Sequence, residues 1–317
     1  MSRKPAIPRR PRDGHKTGAR DEPATQTGLV IVNHGRAALV EDESGALHRC
    51  TARRNVPRSV SGDRVRWMPT GRKEGVITEL LPRHTVLLRP DGPDKTRAMA
   101  ANLDRVIIVV AARPSFPDEL LDRYLAAAEI IGAEPLLVVN KADLLDAGGR
   151  FAMNERLRPF EAIGYRVLFT SSLDRDGLKD LHEALRGHTC MLVGQSGVGK
   201  SSLVQALLPD LDIRTGALSE ATGQGCHTTT VATLYHLHDG GDLIDSPGVR
   251  DFDLWTCDPV EVSHGFREFR DYLGQCRFHN CRHLSEPGCA IQEAARSGAI
   301  AARRLESYRR IVQAESP

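Results

Sequence analysis

The sequence has no apolar stretch long enough to cross a bilayer. Its longest apolar runs, such as the one within Arg105–Ala112, fall far short of the ~20 residues a membrane span needs. Basic residues open the chain and no apolar segment follows them, so no secretory signal is expected. The expectation is a cytoplasmic protein, in a compartment where thiols stay reduced. Its 7 cysteines are accordingly read as metal ligands or plain thiols. Net charge is nearly absent as well: 43 Lys and Arg against 41 Asp and Glu leave a formal +2. No internal repeat appears, and no long low-complexity tract beyond the N-terminal residues.

What is present is a chain of 317 residues, 40% hydrophobic and 26% charged, the balance of a globular protein. At ~100–200 residues per domain it has room for two or three domains. The near-zero net charge hides an uneven start. Arg3, Lys4, Arg9, Arg10, Arg12, Lys16 and Arg20 face the single acid Asp13, and Pro5, Pro8 and Pro11 break any helix there. Residues 1–26 are read as a disordered basic arm, either a solubilising tail or a contact for nucleic-acid phosphates.

From 27 to 95 the pattern is short strands punctuated by turns. Gly28–Val32 runs into Asn33-His34-Gly35, Arg36–Val40 into Ser44-Gly45, and Gly62–Trp67 and Gly75–Leu80 keep the rhythm. This spacing predicts a small barrel of the oligonucleotide-binding (OB) type, with a barrel lacking any ligand role as the alternative. From 96 to 253 strands and helices alternate. Strands are expected at Val106–Ala111, Pro135–Val139, Tyr165–Phe169 and Cys190–Val193, and helices at Asp118–Ile131, Phe151–Ala162, Gly177–Leu185 and from the Gly-rich loop to Leu207. That alternation predicts a mainly parallel α/β sheet. From 254 to 317 a Cys/His cluster and a helical tail over Ala290–Gln313 suggest a third, small domain.

Two motifs carry nucleotide chemistry. Gly194-Gln195-Ser196-Gly197-Val198-Gly199-Lys200-Ser201-Ser202 contains a complete P-loop pattern. Its glycines let backbone N–H groups face phosphates, Lys200 reaches the β- and γ-phosphates, and Ser201 holds Mg²⁺. The following helix adds its positive N-terminal end. Asn140-Lys141-Ala142-Asp143 ends a strand and suits guanine. Asp143 can accept both the N1–H and the 2-amino hydrogens, a pair adenine lacks, and a site built on such bonds rejects the analogue strongly. Thr170-Ser171-Ser172 ends the next strand, where a backbone N–H can meet the guanine carbonyl. Asp245-Ser246-Pro247-Gly248 follows another short strand and suits the Mg²⁺ shell and the γ-phosphate. All four lie at the C-terminal ends of expected strands, the edge at which open α/β sheets bind ligands.

The order of these motifs is reversed from that of an ordinary GTP-binding domain, in which the P-loop comes first. Termini of compact domains often lie close together, so joining them and cutting elsewhere is tolerated. The link from Gly177–Leu185 into the P-loop strand marks the old termini, and the new opening lies after Asp245–Gly248.

Cys276-x₄-Cys281-x-His283-x₅-Cys289 supplies three thiolates and one imidazole, a closed Cys₃His set suited to structural Zn²⁺, one per chain. His279 sits inside the loop as a decoy. Cys50, Cys190, Cys226 and Cys257 are read as ordinary thiols.

With these motifs the sequence resembles the circularly permuted GTPases of small-ribosomal-subunit biogenesis (RsgA/YjeQ type). The resemblance runs from about Thr27 into the C-terminal region. It includes the barrel, Leu81-Pro82-Arg83 with Arg89-Pro90, both nucleotide motifs, Gly225-Cys226-His227-Thr228-Thr229-Thr230 and Asp245–Arg250. It implies a permuted α/β P-loop GTPase domain between an N-terminal OB-like β-barrel and a C-terminal zinc-binding α-helical domain. The implied activity is hydrolysis of GTP to GDP and phosphate with Mg²⁺, stimulated by the 30S subunit and acting late in its maturation through 16S rRNA near the decoding region. It also implies that His227 swings in as the catalytic residue, with Thr229 or a neighbouring threonine closing over Mg²⁺. Cys226 stands where relatives usually carry a basic residue, which argues against an electrostatic role there. Val249 stands where small GTPases place a water-orienting Gln, so intrinsic hydrolysis is expected to be weak. A monomer with no membrane partner is expected. The alternatives are a GTP/GDP-gated RNA-binding switch that does not hydrolyse, and a P-loop phosphotransferase, against which Asp143 argues.

Overall fold

The structure is a computed structural model of the chain, and residues 24–91, 95–211, 231–246 and 258–314 are described. The expected basic arm lies, up to residue 23, outside the described residues.

The first five strands are β1 (Gln26–Asn33), β2 (Ala38–Glu41), β3 (Leu47–Ala52), β4 (Arg64–Gly71) and β5 (Glu74–Leu80). β1–β2, β2–β3, β5–β4 and β4–β1 pair antiparallel and β3–β5 pairs parallel, which closes a five-stranded barrel. Side chains alternate across a strand. On β4, Val65 and Trp67 point inward while Arg64 and Arg66 are exposed. Trp67 fills the barrel with Val30, Val40, Cys50 and Ile77. Only a glycine fits beneath it at Gly75, where a Cβ would lie 2.5 Å from the indole ring.

A hairpin of β6 (Val86–Pro90) and β7 (Thr96–Ala101) follows and joins residues on either side of 95/96. The second sheet comprises β8 (Arg105–Ala111), β9 (Glu134–Asn140), β10 (Arg166–Phe169), β11 (Thr189–Val193), β12 (Thr233–His236) and β13 (Asp242–Asp245). Its order is β10-β9-β8-β11-β13-β12, parallel except for β12. Counted from β11 as the first strand and wrapping back to β8 after β13, that order reads 2-3-1-4-5-6. The P-loop strand is thus central, with the strand that opens this section of chain on one side and the strand that closes it on the other. β12 also pairs with β1, so the barrel continues the sheet.

Helices α1 (Asp118–Ile131), α2 (Ala147–Ala162), α3 (Arg175–Leu185) and α4 (Lys200–Leu207) connect these strands. Beyond Arg105, β8 is apolar because both its faces are covered. Val106, Ile108 and Val110 pack in one core with α1, while Ile107, Val109 and Ala111 pack in the other with Leu181, Leu185 and Leu203.

The C-terminal region contains α5 (Pro259–His264), a 3-10 helix at Arg267–Tyr272, α6 (Ala290–Ser297) and α7 (Ala302–Ala314). The tail expected as helical over Ala290–Gln313 is two helices, parted at Gly298, whose φ of 83° ends α6 in the left-handed conformation. α5 starts with a capping box of Asp258 and Glu261. This region shares a core with the sheet: Phe266, Phe269 and Tyr308 lie in the same cluster as Leu121 and Leu125 of α1. A Cβ at Gly265 would lie 2.8 Å from the Ala126 carbonyl oxygen, so glycine sets how closely the two parts approach. Polar groups reinforce the contact. Arg304 is buried and pairs with fully buried Asp122 of α1 and with Glu268, while Arg267 and Arg270 both reach Glu129.

Candidate nucleotide and metal sites

The P-loop leaves β11 and turns into α4, and three of its glycines, Gly194, Gly197 and Gly199, have φ of 143°, 83° and 94°. Side chains are excluded at both ends of the loop. A Cβ at Gly194 would sit 2.2 Å from the Val109 carbonyl oxygen, and one at Gly199 would sit 2.3 Å from Asn140 Nδ2. Val198 is fully buried and anchors the loop in the core beneath α4, whereas Ser196, Ser201 and Ser202 are exposed. Lys200 Nζ donates to the carbonyls of Gly194 at 2.5 Å and Gln195 at 2.8 Å, folding the ammonium back over the loop.

Asn140 and Lys141 tie the guanine-type motif to this loop. Asn140, 1% exposed, donates through Nδ2 to the Val198 carbonyl at 2.9 Å. Its Oδ1 is buried and has no hydrogen-bond partner among the described residues. Lys141, at φ 59°, sends Nζ to the carbonyls of Gly197 at 2.6 Å and Arg113 at 3.1 Å. Ala142 N donates to Thr170 O at 3.0 Å, which sets the Thr170-Ser171-Ser172 loop beside it. Thr170 Oγ1 in turn donates to Gly177 O at 2.7 Å, and Ser171 is buried. Asp143 is exposed at the rim, as are Leu144 and Leu173.

The structure thus brings Asn140, Lys141, Ala142, Ser171 and the P-loop together at one sheet edge. Asp245 ends β13 at the same edge, where burial raises its carboxyl above the ordinary value. Ser246 Oγ beside it is buried with no hydrogen-bond partner among the described residues. His227, Thr229 and Gly248 lie outside the described residues. Sequence reasoning missed the stretch after β8. Gln195 Nε2 donates to Ser115 O at 2.9 Å, and the Pro114 ring lies 3.6 Å from where a Cβ on Gly197 would be. The one local signal was the Arg113-Pro114 pair, which marks a loop but not what it covers.

The Cys₃His set also assembles. Ligand atoms of Cys276, Cys281, His283 and Cys289 all lie within 4.8 Å of one another. His283 Nδ1 faces Cys276 Sγ at 3.5 Å and Cys289 Sγ at 3.4 Å, and the two sulfurs are 3.9 Å apart. Ligands at ~2.0–2.3 Å around a tetrahedral ion stand at about these separations, so the donors fit one ion. Burial lowers the His283 pKa, which favours the neutral imidazole that a metal requires. The loop is braced by Arg277 N to Gly288 O at 3.0 Å and by Tyr308 OH to Arg282 O at 2.8 Å. His279 is exposed and outside the cluster. Cys50 and Cys190 are buried, and burial pushes both thiols up to about 12, as suits inert core thiols. Cys226 and Cys257 lie outside the described residues.

Fold and site together define the class: a circularly permuted P-loop GTP hydrolase with an N-terminal five-stranded barrel and a C-terminal helical region bearing a Cys₃His cluster. The family model described as RsgA GTPase matches residues 80–255. Two curated relatives carry the name small ribosomal subunit biogenesis GTPase RsgA. The one from Ectopseudomonas mendocina is 47% identical over 90% of this chain and 85% of its own length, and the one from Yersinia enterocolitica is 46% identical over 91% and 85%. Among solved structures, YjeQ from Thermotoga maritima aligns with a TM-score of 0.75 at 32% identity, covering 92% of this chain and 99% of that one. YloQ, described as a circularly permuted GTPase, aligns with a TM-score of 0.74 at 28% identity, covering 94% and 98%. The chain belongs to the RsgA GTPase family.

Proposed function

We propose that this GTP hydrolase serves late maturation of the 30S ribosomal subunit in the cytoplasm, gripping 16S rRNA near the decoding region and turning over GTP faster when bound. The observation that supports the partner is the near full-length likeness to relatives named for small-subunit biogenesis, at 46–47% identity. The barrel and the C-terminal region stand on either side of the GTPase section in the chain and would hold RNA through phosphate contacts, hence salt-sensitively. The protein works as a monomer in this reading.

Within the site, Asp143 reads the guanine edge, Asn140 offers its unpartnered Oδ1 to the base, and Lys141 lies along the base plane. Ser171 and Ser172 present a backbone N–H to the guanine carbonyl. Backbone N–H groups from Gly194 to Ser202 cradle the phosphates, and Lys200 exchanges its carbonyl contacts for phosphate oxygens. Bound with GTP, Mg²⁺ would neutralise charge on the transferring phosphoryl group, with Ser201 and Asp245 as the residues that hold or orient it. Gly248 offers an N–H at the γ-phosphate. Thr229 closes over the metal side, and His227 orients the attacking water, a task a hydrocarbon at Val249 cannot perform. Cys276, Cys281, His283 and Cys289 hold one structural Zn²⁺, leaving no open position for catalysis.

GTP turnover with and without purified small subunits tests the reading. Stimulation that disappears in His227→Ala is the expected result. GTP-dependent binding without any turnover would instead favour the non-hydrolytic switch, which Val249 keeps as the second reading.

A further inference from the structure

β12 is a short strand in a decisive place. It follows residues 212–230, which include His227 and Thr229, and it precedes β13, which delivers Asp245. Thr233 and Asp245 are direct partners in the β12–β13 register. An edge strand ordinarily offers unpaired backbone groups, but here the barrel takes that edge. Thr233 pairs with Val32 of β1, and Ser61 Oγ donates to the Ala232 carbonyl at 2.5 Å.

The other end of β12 is tied by a side chain. His236 Nδ1 lies 2.6 Å from Asp242 Oδ1 on β13, and Nε2 lies 2.8 Å from Glu41 Oε2 at the end of barrel strand β2. A neutral imidazole has one N–H to give. Carboxylates on both ring nitrogens therefore call for the doubly protonated ring, an ion pair across two parts of the molecule. Asp242 also accepts from Thr189 Oγ1 of the P-loop strand at 3.4 Å. Two separated ties hold β12 against both sliding and pivoting relative to the barrel.

We propose that His236 is a positioning residue that fastens β12 to the barrel, so that a load on the barrel displaces β12 and, through the Thr233–Asp245 pairing, Asp245. The proposal rests on the reading of Asp245 as a residue that holds or orients Mg²⁺ beside the γ-phosphate. It makes the barrel a lever on hydrolysis as well as a grip, and where the barrel's position alters nucleotide affinity, linkage makes nucleotide state felt in the barrel.

The test uses the full chain as native protein, His236→Gln, Glu41→Gln and the double variant. Unstimulated turnover and GDP affinity should stay within about twofold of native, while stimulation by small subunits should fall at least about fivefold in each single variant. The double variant should lose no more than either single one, because both remove the same tie. A merely structural role would lower unstimulated turnover as well. In a second arm, amide hydrogen exchange in Ala38–Glu41 is compared with GDP and with a non-hydrolysable GTP analogue. Native protein should show a nucleotide-dependent change there, and the variants should not. Variants that keep native stimulation and native exchange would overturn the tie, as would native protein whose β2 exchange ignores the nucleotide. If native protein is not stimulated by subunits, the ribosomal reading falls while the exchange arm still decides the tie.

Discussion

The side-chain amide of Asn140 donates to the main-chain carbonyl of Val198 at 2.9 Å, joining the guanine-type loop to the P-loop across 58 residues of chain. The two loops proposed to read the base and to hold the phosphates are thereby tied to each other before any ligand arrives. Replacing Asn140 by Ala strands a buried carbonyl, at a cost of ~1–3 kcal/mol. Asn140→Ala should lower the thermal midpoint of the nucleotide-free protein through that cost, and separate loss of the Oδ1 contact proposed for the base should weaken GDP binding by about 5-fold or more in calorimetric titration.

The role proposed for Asp143, reading the guanine edge, can be inverted. An amide in its place offers one acceptor and one donor instead of two acceptors. Asp143→Asn should lose GDP affinity by about 10²-fold or more, on the scale of a site rejecting an analogue with the wrong polar group, and gain affinity for xanthosine diphosphate, which carries a 2-oxo group. Competition binding with the two nucleotides checks this. Unchanged guanine affinity would remove Asp143 from the base site.

The Cys₃His donors predict about one zinc per chain by elemental analysis of freshly isolated protein. Cys289→Ser should lower the metal content and loosen the Arg277–Gly288 loop, seen as faster proteolysis near Gly288, while GDP affinity is retained. Protein isolated without metal would exclude the structural site.

Asp122 is fully buried and compensates buried Arg304, with Glu268 on the other side of the same guanidinium. Removing Asp122 leaves the buried guanidinium still paired with Glu268, so what is lost is a charge-assisted hydrogen bond of ~1.5–3 kcal/mol and not the whole compensation. Asp122→Ala should therefore destabilise the protein by about that amount in urea denaturation. The surface pair Arg158–Glu155 should be nearly neutral when broken.

The imidazole of His236 is pushed up to about 10, chiefly by hydrogen bonds to Asp242 and Glu41, against burial that would lower it. Both carboxylates face the ring. A raised folded pKa stabilises fully below the unfolded value of ~6.5, and the gain is lost as pH rises through the folded one. The stability difference between native protein and His236→Gln should be largest near pH 6 and shrink steadily toward pH 10. Thermal melts across that range measure it, and the ring's partial exposure keeps the effect small.

Strands β8, β9 and β11 were legible because they are apolar runs covered on both faces, and α1 because Leu121, Tyr124, Leu125 and Ala128 recur at helical spacing. β3 was not legible: Leu-His-Arg-Cys-Thr-Ala has one fully buried side chain, Cys50, and its partners come from β2 and β5. β12 is four residues long and held by the barrel, a tertiary fact without a local period. The same limit applies to the site. The residue types of both nucleotide motifs and the Cys₃His spacing carry chemistry that can be read directly. The Asn140–Val198 bond and the Pro114 contact join distant positions, so only the folded chain reveals them.

The central position of β11 has a mechanical consequence. The chain enters the parallel trio β8–β11–β13 at the start of β8 and leaves at the end of β13, with the P-loop strand between them. A pull applied along the chain, at the start of β8 and the end of β13, would therefore stretch the trio lengthwise from opposite ends. Its hydrogen bonds would be strained together in shear, not opened one by one. Force applied that way would be shared by the strand that leads into the P-loop, so tension on the chain would reach the glycine-rich turn through its own strand.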